Sequence, residues 1–223
     1  MADTAQLQRR LRLALQSGDY QTALDCLRQA ADLARQAGDA AAEGRHLGNL
    51  ALLYHRLRLP VEALACLEQA LPLVRAGGDH LAESGLLGNM GNILREVGRH
   101  AEAITYLERA LLLAQEMGDL RGRGIWLGNL GLVYDNLGEH AQAADYHAQS
   151  VAIARQLRDQ RGLAQRLGNL GDNCCARADY AAACAAYAES AAVCEAINDR
   201  QGALERRAGM ARALTLARGK AAD

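Results

Sequence analysis

Phenylalanine is absent from this 223-residue chain, and proline occurs twice, tryptophan once and lysine once (Lys220). Few prolines and few β-branched residues beside abundant alanine and leucine argue for helix and against a β-sandwich or barrel. No run approaches the roughly 18 apolar residues of a membrane-spanning helix, so no membrane partner is expected. Residues 1–10 carry no basic region followed by an apolar run, which excludes a signal peptide and makes the cytoplasm the expected compartment. The six cysteines then sit in reducing conditions and need no pairing. An excess of one charge is lacking too: 25 Lys and Arg stand against 26 Asp and Glu, a net charge of -1. No bulk charge therefore draws the chain to nucleic acid or to an anionic membrane. A single lysine against 24 arginines reads as the coding bias of a G+C-rich genome.

What the chain does have is a repeat. Leu47-Gly48-Asn49-Leu50 recurs as Leu87-Gly88-Asn89-Met90, Leu127-Gly128-Asn129-Leu130 and Leu167-Gly168-Asn169-Leu170, each time 40 residues on. Ala63, Ala103, Ala143 and Ala183 keep the same step, as do Asp39, Asp79, Asp119, Asp159 and Asp199. In residues 119–158, Trp126, Leu127, Leu130, Val133, Tyr134 and Leu137 fall at helical spacings of three and four. Gly138-Glu139-His140 breaks that pattern, and a second helical run from Ala143 to Ala154 follows. Each unit is thus two helices of about 16 residues, ~25 Å long, joined by tight turns. Asp119 and its equivalents suit helix N-caps; Asp19 and Asp179 suit caps of second helices, and Pro60 suits a first helical turn.

One hairpin cannot bury its own apolar face, but stacked hairpins can, so the expected fold is an all-α solenoid forming a single domain over residues 1–223. It has a leading hairpin at about 3–37, four units at about 39–78, 79–118, 119–158 and 159–198, and a capping helix at about 199–218. Glycine inside a helix costs roughly 1 kcal/mol against alanine, and here it recurs at Gly48, Gly88, Gly128 and Gly168 and again at Gly91, Gly131 and Gly171. The second set implies close approach of the helix carrying Ala103, Ala143 or Ala183. The first set, beside the asparagines, fits either packing or a floor that lets a ligand backbone come close.

Asn129-Leu130-Gly131, Tyr134, Gly138, Ala143 and Ser150 resemble the tetratricopeptide repeat pattern of Leu-Gly, Tyr, Gly, Ala and a second small residue. The Leu-Gly-Asn block with its 40-residue step resembles the longer, LGN-type subtype found in spindle scaffolds, kinesin light chains and bacterial regulators. The chain departs from the pattern at Leu94 and Cys174, in place of Tyr, and at Arg58 and Ala178, in place of the turn glycine. The resemblance implies a right-handed superhelical solenoid of antiparallel helix pairs whose first helices line a concave groove, with Asn49, Asn89, Asn129 and Asn169 facing it.

A carboxamide offers a donor and an acceptor, so such a row can pair with an extended peptide backbone without reading its sequence. Helices pack about 8–10 Å apart and an extended chain rises ~3.3 Å per residue, so four rungs span a segment of about ten residues. The alternative is a structural amide ladder. Selectivity would come from neighbours on the same face that differ between units, among them Asn92, Asn136, Arg45 and Arg56. Arg45 and Arg56 either take an acidic residue of the ligand or are solvated helix charges.

No catalytic set is visible. There is no His-Glu-x-x-His, and His100 and His140 share one repeat turn and read as surface residues. Gly122, Gly124 and Gly128 follow no strand and lack dinucleotide-loop spacing. Cys26 and Cys66 lie one repeat apart, too far for an easy disulfide. Cys174, Cys175, Cys184 and Cys194 contain no Cys-x-x-Cys and read as small core residues. No catalytic residue, metal or cofactor is expected. The leading expectation is a non-enzymatic module holding an extended peptide or helical segment of a partner protein. The rivals are a scaffold that forms homo-oligomers through its terminal helices, where Leu7, Leu11 and Leu15 make an apolar stripe, and the sensor part of a bacterial signalling system.

Overall fold

The computed structural model describes residues 2–220, with side chains from residue 5 onward. Among these residues there are eleven α-helices and no strand: α1 (Ala2–Ser17), α2 (Tyr20–Gln36), α3 (Ala40–Arg56), α4 (Pro60–Ala76), α5 (His80–Glu96), α6 (His100–Glu116), α7 (Leu120–Asn136), α8 (His140–Gln156), α9 (Gln160–Ala176), α10 (Tyr180–Ala196) and α11 (Arg200–Lys220). Helix starts recur every 20 residues, so two helices and two turns fill one 40-residue step. The chain divides into two compact units, Met1–Leu113 and Ala114–Asp223. In the first, α1 packs on α2, α2 on α3, α3 on α4 and α4 on α5; in the second, α7 through α11 pack likewise in succession. This is the consecutive helix-pair packing of a tetratricopeptide-like fold.

The turns show why these residues start and stop helices. Seven aspartates cap from the side chain: Asp19 Oδ1 accepts from Thr22 N (3.1 Å), Asp39 from Ala42 N (2.9 Å), Asp79 from Ala82 N (3.0 Å), Asp119 from Gly122 N (3.0 Å), Asp159 from Gly162 N (3.0 Å), Asp179 from Ala182 N (3.1 Å) and Asp199 from Gly202 N (2.9 Å). Pro60 opens α4 behind Leu59, which offers no side-chain cap. Pro72, unremarked in the sequence pattern, stands inside α4 at an exposed position. Each preceding helix closes on a left-handed residue, with the following amide reaching back five residues, as in Asp39 N to Ala34 O at 2.9 Å.

That left-handed position is glycine in six turns but Arg58, Arg158, Ala178 and Asn198 in four, at φ between 52° and 61°. A side chain there costs roughly 1–2 kcal/mol, partly offset because glycine loses more freedom on folding, by about 0.4–1 kcal/mol. Ala178→Gly, which removes no ion pair, is expected to raise stability by up to about 1 kcal/mol. A higher urea midpoint at unchanged slope checks this.

Between paired helices the contact is small on small, and one hydroxyl fills it from either side. Ser84 on α5 donates to Ala110 O on α6 (3.0 Å), whereas Ser150 on α8 donates to Gly124 O (2.6 Å) and Ser190 on α10 to Ala164 O (2.6 Å). The interior glycines serve the same close packing. A Cβ at Gly91 would lie 2.5 Å from Leu107 Cγ, one at Gly131 2.6 Å from His147 Cε1, and one at Gly171 2.7 Å from Tyr187 Cε1. The partners are thus mainly Leu107, His147 and Tyr187, one helical turn beyond the alanines that the pattern singled out. Beside the asparagines, Gly48 faces Leu86 of the next repeat (3.1 Å), Gly128 faces Ser150 Oγ (3.1 Å) and Gly168 lies under the Arg206 guanidinium. At these three positions the glycine serves packing. Fully buried leucines such as Leu67, Leu87 and Leu107 each contribute about 2 kcal/mol, more than an interior glycine costs.

Candidate functional site

The four repeated asparagines occupy one register on the first helix of each pair: Asn49 on α3 and Asn89 on α5 in the first unit, Asn129 on α7 and Asn169 on α9 in the second. Their flanking leucines, Leu47 and Leu50 or Leu127 and Leu130, are buried, which turns the stripe between them outward. Asn49 is exposed and the other three are half-buried. No hydrogen bond joins any of the four carboxamides to another described residue. The remaining sequence-derived positions differ. Asn92 is engaged locally: its Nδ2 donates to Glu96 Oε1 at 3.3 Å and its Oδ1 accepts from Arg95 Nη2 at 2.9 Å. Asn136, Arg45 and Arg56 are exposed, and the Arg56 guanidinium lies 5.2 Å from the centroid of the Tyr20 ring.

In the first unit this stripe borders a depression lined by Leu11 and Leu15 of α1, Leu27 of α2 and Asn49, Leu52, Leu53 and Arg56 of α3. The terminal stripe Leu7, Leu11 and Leu15 is only partly open: Leu7 is buried, Leu11 half-buried and Leu15 exposed. Glu96, on the same face of α5, is neutralised from several sides. His55 Nε2 lies 2.9 Å from it, Arg95 Nη2 3.3 Å and Arg58 Nη1 3.6 Å. Burial alone would raise this carboxyl, but these partners hold it below its usual range.

A polar cluster that the sequence reading missed lies in the second unit. His147, on α8, is fully buried, and its Nε2 donates to Asp135 Oδ2 at 2.9 Å. His140 Nδ1 donates to Asp135 Oδ1 at 3.0 Å. Asn173 Nδ2, also buried, donates to Asp135 Oδ1 at 2.6 Å and to His140 O at 2.9 Å. The reading of His140 as a surface turn residue is corrected, since it is half-buried and tied to Asp135. The signal was in the register: His147 stands where other repeats have Leu67 and Leu107, and Asn173 where they have Ile93 and Val133. Among the described residues no group of three His, Cys, Asp or Glu is placed to hold a metal ion. All six cysteines are free, and burial pushes the thiols of Cys66, Cys174 and Cys194 up, which keeps them protonated and unreactive.

The family model for the tetratricopeptide repeat matches residues 3–76 and 82–156. The chain belongs to the tetratricopeptide repeat family. Among solved structures it is similar to BtubC (BKLC) from P. vanneervenii, at 23% identity over 87% of this chain and 80% of that one, with a TM-score of 0.77. A Rap protein complexed with competence and sporulation factor superposes with a TM-score of 0.78 at 17% identity, covering 94% of this chain. This chain spans 62% of the length of that Rap protein. The apo form of RapI gives a TM-score of 0.83 at 13% identity, over 99% of this chain and 83% of that one. At such identities the likeness is one of fold. No curated protein matches the chain. No helix among the described residues is long and apolar enough to cross a membrane.

Proposed function

We propose that the protein is a non-enzymatic interaction module that holds an extended peptide or a helical segment of a partner protein against the asparagine-bearing face of its first helices. The observation that carries this reading is the set of four outward carboxamides at one register, none of them bonded to another described residue. A solvated amide that no neighbour uses keeps its donor and acceptor available to a peptide group. The 40-residue step and the Leu-Gly-Asn block support the LGN-type subtype as the reading of the repeats, and the cytoplasm is the compartment proposed. A regulatory role is the variant favoured by the likeness to a Rap protein complexed with competence and sporulation factor.

The test is capture of partners by immobilised protein, compared with an Asn89→Ala, Asn129→Ala double variant. Each hydrogen bond contributes about 0.5–1.5 kcal/mol, so retention of a bound partner is expected to fall about tenfold while the helical circular dichroism is unchanged. Equal capture by the variant overturns the reading. Self-association is the second reading, because α11 exposes Leu204, Leu214 and Leu216. A mass that rises with concentration in light scattering would favour it, and a constant monomer mass would count against it.

A further inference from the structure

Across α1 and α3 the first unit combines an apolar floor with arginines that form no ion pair with a described residue. Leu11, Leu15 and Leu52 line the floor of the depression, and Leu15 and Leu52 are exposed although apolar. Arg45 and Arg56 lie four residues before and seven after Asn49, on its stripe of α3. Arg9 and Arg12, 40 residues before Asn49 and Leu52, hold the equivalent register on α1. All four arginines are exposed, and none forms an ion pair with a described residue. Among the described side chains of their own helices few acids are present to balance them, and the nearest cap, Asp19, accepts from Thr22 N. The described side chains of α1, residues 5–17, include no Asp or Glu. The one acid of α3, Glu43, is buried and bound by Arg35 Nε at 2.8 Å. Glu96, on the corresponding stripe of α5, is engaged by His55, Arg58 and Arg95. The Arg56 guanidinium lies over the Tyr20 ring face. A chain of net charge -1 therefore carries here a local patch of one sign.

We infer that this surface binds an acidic segment of a partner protein that carries leucine-like side chains. One apolar side chain fills the depression between α1 and α3, Asn49 pairs with the segment's backbone, and its carboxylates meet Arg9, Arg12, Arg45 and Arg56. The inference rests on the groove reading and adds the chemistry of the ligand. A nucleic acid fits less well, because base recognition of single strands relies on aromatic stacking platforms. The floor here is leucine, and the nearby Tyr20 ring is covered by Arg56.

The experiment is fluorescence anisotropy on the whole chain with a labelled peptide of about ten residues alternating Glu and Leu. The controls are its Gln-for-Glu and Lys-for-Glu analogues and an oligothymidylate of equal charge. The Glu-Leu peptide is expected to bind about tenfold more tightly than the Gln analogue at low salt. That advantage shrinks as ionic strength approaches about 0.3 M. An Arg12→Glu, Arg56→Glu double variant is expected to lose about tenfold, Leu52→Ser severalfold, and Arg56→Lys much less than the reversal. Unchanged circular dichroism and melting show that the variants fold. Equal binding of the Glu and Gln peptides, weakened alike by Asn49→Ala, overturns the charge assignment and leaves the groove reading standing. Binding unaffected by Asn49→Ala and by both Arg12→Glu and Arg56→Glu overturns both for this unit. Absence of Glu-Leu binding, or tighter binding of the oligothymidylate, overturns the inference, and the Asn89 and Asn129 capture experiment then judges the groove reading on its own.

Discussion

Asp135→Ala is expected to destabilise the second unit by about 3 kcal/mol, because the buried donors of His147 and Asn173 lose a charged acceptor and each such hydrogen bond contributes about 1.5–3 kcal/mol. The carboxylate is the common acceptor for His147 Nε2, His140 Nδ1 and Asn173 Nδ2, at 2.9, 3.0 and 2.6 Å. Removing it leaves the buried His147 without any partner, because His147 Nδ1 already has none among the described residues. Asn173 keeps its bond to His140 O, while its Oδ1 stays unmatched. Asp135→Asn, which keeps the shape and part of the acceptor capacity, is expected to cost less. A paired Asp135→Leu, His147→Leu variant replaces the network by apolar groups, as Leu107 does one repeat earlier, and is expected to recover much of the loss. Urea unfolding of the three variants separates these outcomes.

The same carboxylate gives stability a pH dependence of definite sign. Burial by itself would raise its pKa, but the hydrogen bonds from His147, His140 and Asn173 outweigh burial and lower it. A carboxyl whose folded pKa lies below its unfolded value, about 3.9, contributes stability that is fully present above that value. The contribution is lost as pH falls through the lower folded pKa. The stability advantage of the native chain over Asp135→Asn is therefore expected to hold at pH 5 to 7, as about constant from this group, and to shrink as pH drops below about 4. Unfolding free energies across that range check it, and an advantage that grows on acidification contradicts the assignment.

Local chemistry explains what could be read from the chain. The aspartate caps and Pro60 act within one turn of themselves, so their roles follow from neighbours in sequence. The 40-residue step makes helix pairing repetitive, and repetition carried the fold. Tertiary neighbours were harder to read. Gly168 looked like Gly128, yet it lies under Arg206 of the last helix, because α11 supplies an arginine where α9 meets its successor. His147 and Asn173 sit in apolar registers, and their burial depends on Asp135 arriving from a third helix. The asparagine row was legible as a pattern, but duplication copies every residue, so recurrence alone cannot separate a binding amide from a structural one. The exposure of Asn49 and the absence of partners for the four amides come only from the packed helices.

Alanine placed at two glycines of α5 is expected to act with opposite sign. Gly85 and Gly91 are both interior to that helix, so each substitution gains the same intrinsic propensity, about 0.8–1 kcal/mol. At Gly85 an added Cβ meets nothing within 4 Å, and the gain survives. At Gly91 the Cβ would lie 2.5 Å from Leu107 Cγ and 3.1 Å from Ala103 O. Leu107 is fully buried and the carbonyl belongs to α6, so neither gives way without parting the helices. Overpacking of this kind costs typically 1–3 kcal/mol, and contact with a backbone carbonyl puts Gly91 at the upper end. Gly91→Ala is thus expected to lower stability by about 2 kcal/mol net of propensity, whereas Gly85→Ala raises it by up to about 1 kcal/mol. Shortening Leu107 should relieve the clash, so Gly91→Ala combined with Leu107→Ala should cost less than the sum of the two single changes. Strict additivity in that cycle would mean that Gly91 is glycine for some reason other than the approach of α6.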